Sequence, residues 1–384
     1  DVELKNGHIN GIVKFKLYRK HSRNNKEEEI ILTEIFRSLD YLAPRTSFVK
    51  ANINGAEDIM IFQEKAVREL LEFNHRREGP ILEGNEQFFF QFQSNIIRDG
   101  TSQYKEIMQQ IEKGTKIQLA RLSNSNWSMK SLNHLEISLN SLSKLNQIYL
   151  LYLNNYKNSK NNFVFMEYNL SNNLLANKKT ENIQKLNIFN ILLFAAGAEH
   201  GLYVRNRKFY WNSFDNYFEP IYYDGSPDFS KNTENFGFST FYWLPIHGNI
   251  LADLSTLIKK LDELDYDKIL KNLNKNGLDI SYNQLENKIL KLKSNIEDVE
   301  NKINNTNIEV IDFNKNLFYK RELWDNFVNN FRDLNVNVKF ILSDNKSENF
   351  DNQINFSICK NNFTTCENLN LNIHNPSDRK MLRE

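Results

Sequence analysis

The sequence predicts an α+β fold of two lobes followed by a small β-rich extension. Three observations predict it. Period-two alternation and an Asn-Gly turn fill residues 1–87, helical spacing dominates residues 88–306, and one aromatic-rich hairpin interrupts those helices at 206–224. Residues 307–384 return to short alternating runs (VNVKFIL, NQINFSI, NLNLNI), which read as a β appendage.

The first lobe begins with a strand from Gly11 to Tyr18, where Val13, Phe15 and Leu17 alternate with Lys14, Lys16 and Tyr18. A polar loop (HSRNNKEEE) leads into a helix from Ile30 to Leu39, with Ile31, Ile35 and Leu39 on one face. Pro44 stops it, because proline lacks the N–H and pushes its predecessor toward extended geometry. Ser47–Ile53 and Asp58–Phe62 read as strands joined at Asn54-Gly55, the dipeptide that suits a tight hairpin turn. A helix from Glu64 to about Asn74 closes the lobe.

In the second lobe the expected helices are Tyr104–Lys113, Lys130–Tyr156, Glu181–Ala198 and Asn249–Leu261, with the 206–224 hairpin as the only interruption. Leu285, Ile289, Leu292, Ile296, Val299 and Ile303 follow four-three spacing for fewer than three heptads, so this helix is expected to pack on its parent domain. In the appendage, SICKNNFTTC sets Cys359 and Cys366 on either side of an Asn-Asn turn. A hairpin could bring the thiols together as a disulfide, or leave them as two reduced cysteines on a strand.

Composition removes several classes. With 49 basic and 48 acidic side chains the formal charge is +1, which supplies no basic field for nucleic acid. No run of about 18 apolar residues is present, so no transmembrane segment is expected. The seven His include no i, i+4 pair of the kind that holds zinc on a helix, and there is no G-x-S-x-G elbow for a serine nucleophile. The chain opens at Asp1 with no leader, as expected of a mature product or a fragment.

The densest chemistry lies in AGAEHGLYVRNRKFYWNSFDNYFEPIYYDG. A helix is expected to end near Glu199-His200-Gly201, a loop then delivers Asn206, and the second strand of the hairpin runs into Asp224-Gly225. Protein kinases hold their Mg²⁺ ions with an Asn from the catalytic loop and, later in the chain, the Asp of D-F-G. Hard oxygen ligands of this kind suit Mg²⁺. With an α+β lobe ahead and a helical lobe around it, the order of elements is that of a two-lobed, protein-kinase-like fold.

Two blocks, LAPRTSFVKANINGAEDIMIFQEKAVRELLEFNHRREGPILEGNE (Leu42–Glu86) and HGLYVRNRKFYWNSFDNYFEPIYYDG (His200–Gly225), resemble the CotH-like atypical kinases, a family named for a spore-coat protein. They cover under a third of the chain. The resemblance implies ATP and Mg²⁺ as cofactors and a protein hydroxyl as acceptor. It implies Asp224 and Asn206 as metal ligands, Glu64 near the adenine, and Glu34 as the helix glutamate that orients a phosphate-contacting lysine. Lys16 is the choice for that lysine, unless the matching strand lies upstream of Asp1. Export to the cell surface is the location that the family and the cysteine pair together imply.

Besides that lysine, the chain departs from the kinase pattern in two further places. Five residues before Asn206, where the catalytic loop has its Asp, stands Gly201, so the base role falls to His200, to Glu199 or to no residue. No Gly-rich phosphate loop precedes the first strand, and GPILEG reads as a turn and strand. These departures favour an alternative, a catalytically weak or dead relative that acts as a surface or coat interaction module.

Overall fold

The computed structural model describes residues 1–19, 26–85, 120–158, 170–231, 249–305, 338–339, 353–360 and 365–372. The chain divides into two compact units, Asp1–Leu317 and Phe318–Glu384.

The first unit opens with β1 (Val2–Glu3), β2 (Lys14–Arg19), α1 (Lys26–Ser38), β3 (Thr46–Ile53) and β4 (Ala56–Glu64). These strands form one antiparallel sheet in the order β1-β2-β4-β3, so α1 is the crossover between β2 and β3. Asn54 and Gly55 both take positive φ (53° and 86°), the backbone that a two-residue hairpin turn of this twist requires. The strand β4 is longer than the alternation predicted and runs to Glu64, so the next helix, α2, is confined to Arg68–Phe73. Helix α1 carries Glu27, Glu28 and Glu29 in its first turn and Arg37 in its last, a charge order that suits the helix dipole.

A second antiparallel sheet, ordered β6-β5-β7-β8, joins distant parts of the chain. It comprises β5 (Ile81–Gly84), β6 (Ala120–Leu122), β7 (Lys208–Asn212) and β8 (Tyr217–Ile221). GPILEG is thus turn and strand, and the β7–β8 hairpin stands where the aromatic alternation placed it. Strand β6 is a second interruption of the helical region; three residues are too short to show a period.

Between the strands lie α3 (Ser125–Ser128), α4 (Leu132–Asn158), α5 (Asn172–Leu175) and α6 (Thr180–Ala195). After the hairpin come α7 (Ile250–Asp262), α8 (Tyr266–Lys275) and α9 (Tyr282–Asn305). The expected helix at 104–113 falls outside the described residues. Helix α6 is the centre of the main core: Ile188, Phe189, Ile191, Leu192, Leu193 and Phe194 are all buried, so it is apolar around most of its circumference. Against it pack Ile31, Ile35 and Phe36 of α1, Leu254 and Leu257 of α7, and Leu285, Ile289, Leu292 and Ile296 of α9. The heptad seam is therefore spent inside its own domain, each such side chain contributing about 1.5–3 kcal/mol by leaving water. Among the described residues no helix is long and apolar enough to cross a membrane.

In the second unit β9 (Val338–Lys339), β10 (Gln353–Lys360) and β11 (Thr365–Asn372) form an antiparallel sheet in the order β11-β10-β9. Its register sets Cys359 directly across from Cys366.

Candidate functional site

The segment after β8 is anchored from two sides. The backbone N–H of Tyr222 donates to the carbonyl of Leu42 at 2.8 Å, and its hydroxyl donates to Glu29 at 2.9 Å. Seven residues on, the N–H of Phe229 donates to Glu28 at 2.8 Å. The first turn of α1 therefore grips both flanks of Asp224, and all these groups are buried. Within the grip Asp224 takes a left-handed φ of 52°, which Asp tolerates better than most residues. Gly225 follows because a Cβ there would lie 2.8 Å from the Tyr222 hydroxyl and 3.0 Å from Ala198 Cβ.

Residues Glu199–Leu202 and Val204–Asn206 form two short 3₁₀ turns after α6, not a continuation of the helix. They bring His200 between the two predicted metal ligands. Its Nδ1 is 2.9 Å from the Asp224 carbonyl and 3.5 Å from the Asp224 carboxylate. Asn206 is buried, and its amide nitrogen donates to the His200 carbonyl at 3.0 Å. With the proton placed on Nδ1, His200 donates to the Asp224 carbonyl, and the Asn206 nitrogen, 3.1 Å from the same Nδ1, makes its hydrogen bond to the His200 carbonyl instead. Spending the Asn206 nitrogen on His200 leaves Oδ1 as the group that can meet a cation. One carboxylate and one amide oxygen fit Mg²⁺, which takes few protein ligands and completes its shell with water and phosphate. Among the described residues no cluster of three or more His, Cys, Asp or Glu forms a metal site.

Lys16 reaches the same place from β2 of the first sheet. Its ammonium donates to the Tyr223 hydroxyl at 2.6 Å, one residue before Asp224, and lies 4.9 Å from the Tyr223 ring centre. Lys14, its neighbour on the same strand face, is instead paired with Glu3 at 2.9 Å. Lys208 also approaches Tyr223, its ammonium 4.1 Å from the ring centre. Lys208 and Arg121 both pair with Glu83. Burial alone would raise the Glu83 pKa, but these two cations outweigh it and hold the carboxyl below its ordinary range. Burial also lowers the Lys208 pKa despite its carboxylate partner, and Lys16 adds to the effect. Nearby Lys65 is lowered by burial, then by Lys16 and Lys14. The lysines are crowded enough to feel one another.

Three of the expected site residues lie elsewhere. Glu34 does not meet Lys16; its carboxylate is taken by Arg37 and by the amides of Asn276 (2.7 Å) and Asn272 (3.3 Å). The helix explains this, since Glu34 lies five residues beyond Glu29 and is rotated about 140° from it around the axis. Glu64 ends β4, but its side chain is wholly buried in an ion pair with Arg45, which also donates to it through Nε at 2.9 Å. Glu199 pairs with Lys231. Of the two candidate bases this leaves His200 beside Asp224.

The sequence reading missed Lys208, Glu83, Tyr223 and Arg45. Lys208 sits two residues after Asn206 at the start of a strand whose three following residues are buried, and only its pairing with Glu83, 125 residues away, shows that it too faces inward. Next to it Arg207 is buried with its Nη2 lacking a hydrogen-bond partner, and burial lowers its pKa to about 10. No family model and no curated protein matches the chain.

Proposed function

We propose that the Asp224 site binds Mg·ATP and transfers its γ-phosphate to a protein hydroxyl, as in a protein-kinase-like enzyme of the CotH-like kind. The observation that carries this reading is convergence: Lys16, His200, Asn206 and Asp224, drawn from both lobes, meet around Tyr223 and Asp224. Element order supports it as well. A strand, a crossover helix and a hairpin make the sheet order β2-β4-β3, and a hairpin separates Asn206 from Asp224, as in kinases. Asp224 and the Asn206 Oδ1 would hold Mg²⁺, and Lys16, with Lys208 beside Tyr223, would face the phosphates. The metal would supply charge neutralisation between phosphates, which is most of what this chemistry demands of a protein.

In this reading Glu34 and Glu64 serve the fold. The test is transfer from γ-radiolabelled ATP to the chain itself or to a generic acceptor protein. Label that depends on Asp224 supports the proposal; label unchanged in Asp224→Ala defeats it.

A second reading, a nucleotide-binding interaction module without transfer, is favoured by Gly201. A Cβ at that position would lie 3.2 Å from the Tyr223 carbonyl and 3.4 Å from Gly225 Cα, so the usual aspartate would fit only if the backbone beside Asp224 gave way by a few tenths of an ångström. Binding of Mg·ATP with no transfer to any acceptor is its signature.

A further inference from the structure

The β10–β11 hairpin has two faces of opposite character. Residues alternate between the faces of a strand, so Ile354, Phe356 and Ile358 of β10 share one face with Leu369 and Leu371 of β11. The other face is a polar row in which Asn355 stands opposite Asn370, Ser357 opposite Asn368 and Cys359 opposite Cys366. The cysteines end that row, next to the Lys360–Thr365 pair with which the ladder closes at the turn.

Residues directly opposite in an antiparallel pair have Cα atoms about 4.5 or about 5.5 Å apart, depending on whether the pair exchanges hydrogen bonds. Both values lie inside the roughly 4.4–6.8 Å that a disulfide spans, so either kind of pair accepts the bond without backbone movement. A slip of one residue would put the two cysteines on opposite faces and forbid it. Cys359 and Cys366 are also the only cysteines among the 384 residues, so no third thiol competes within the chain.

We propose that Cys359 and Cys366 form a reversible two-electron thiol–disulfide site, closed by exchange with a small disulfide such as oxidised glutathione. The thiolate of one cysteine attacks the small disulfide, releases one thiolate and leaves a mixed disulfide. The thiolate of the other cysteine then attacks the protein sulfur of that mixed disulfide, forms the 359–366 bond and releases the second small thiolate. Two protein thiols are oxidised, one external disulfide is reduced to two thiols, and the two protons given up by the cysteines pass to the released thiolates. A place in the polar row, at the turn end of the ladder, suits a bond that small thiols reach and reopen, whereas the row of Ile354, Phe356 and Leu369 would shield it. Closure ties β10 to β11 at the turn and fixes their register. Both cysteines belong to the second unit, so this proposal and the Asp224 reading stand or fall separately.

The experiment takes the full chain, reduced and freed of reductant, through mixtures of reduced and oxidised glutathione, traps free thiols with iodoacetamide and reads the products by mass spectrometry. Oxidation should remove two hydrogens and add no glutathione. Trypsin cuts after Lys360, so the bond should join two peptides that separate on reduction. The register control is Cys366→Ser/Thr365→Cys, which moves the second thiol to the other face. Folded, it should close at least about tenfold less readily than the wild type at the same glutathione ratio; in guanidinium chloride the two should close alike, because an unfolded chain has no faces and the loops are nearly equal in length. Two glutathione adducts, disulfide-linked dimers, or thiols that stay free even in oxidised glutathione alone overturn the proposal. Equal closure of the shifted pair in the folded chain overturns it too.

Discussion

Lys16 and Tyr223 stand 207 residues apart in the chain and meet at 2.6 Å, ammonium to hydroxyl. This contact pins the first sheet to the segment that presents Asp224, and it holds the Lys16 charge beside the expected phosphate position. A hydrogen bond of this kind contributes only about 0.5–1.5 kcal/mol to stability. Lys16→Met should therefore move the melting temperature by a few degrees at most, while weakening Mg·ATP at least about tenfold. Titration of the folded variant with nucleotide checks this, and undiminished affinity would remove Lys16 from the site.

The Arg45–Glu64 pair makes the opposite prediction. The Glu64 side chain is fully buried and Arg45 is 17% exposed, so removing the cation strands a carboxylate in the interior. Arg45→Met should cost about 3–5 kcal/mol, and the double variant Arg45→Met/Glu64→Leu should recover most of that loss. Urea unfolding of the three proteins gives the comparison. Equal stability of the single and double variants would show that the pair is not what holds the end of β4.

Glu83 sets an acid limb. Its folded pKa lies below the ordinary 4.5 because Lys208 and Arg121 outweigh burial, so the unfolded chain binds this proton more readily. The stabilisation is therefore complete above about pH 4.5 and is lost as pH falls through the folded value. In Glu83→Gln, stability should fall less steeply on acidification below pH 4.5, and at neutral pH it should be lower throughout because Lys208 is left buried without its carboxylate. Denaturant midpoints across pH 3–7 measure both effects; an unchanged acid slope would assign the limb to other carboxylates.

How much of this the sequence displayed depended on whether a residue's role was local. The strands of the first lobe and the β7–β8 hairpin were legible because a half-buried strand prints its period directly. That Asn206 and Asp224 come close, with His200 between them, was foreseeable for a related reason: a hairpin is a known way to bring its two flanks together. Glu34 and Glu64 had the right residue type and misled, since their partners Asn276 and Arg45 are fixed by tertiary packing and not by spacing. The Lys208–Glu83 pair spans 125 residues, and a lone lysine in a strand reads as a solvent-facing residue until its neighbour is known. Strand β6 was invisible because three residues exist as a strand only through the pairing of Arg121 opposite Glu83.

Isothermal titration of the full chain with ATP, with and without Mg²⁺, decides whether Asp224 and its neighbours hold Mg·ATP. Saturable one-site binding is expected that requires Mg²⁺ and weakens by at least about tenfold, or some 1.4 kcal/mol, in Asp224→Ala. Absence of saturable binding to the wild-type chain, or binding of equal strength to Asp224→Ala, would contradict it.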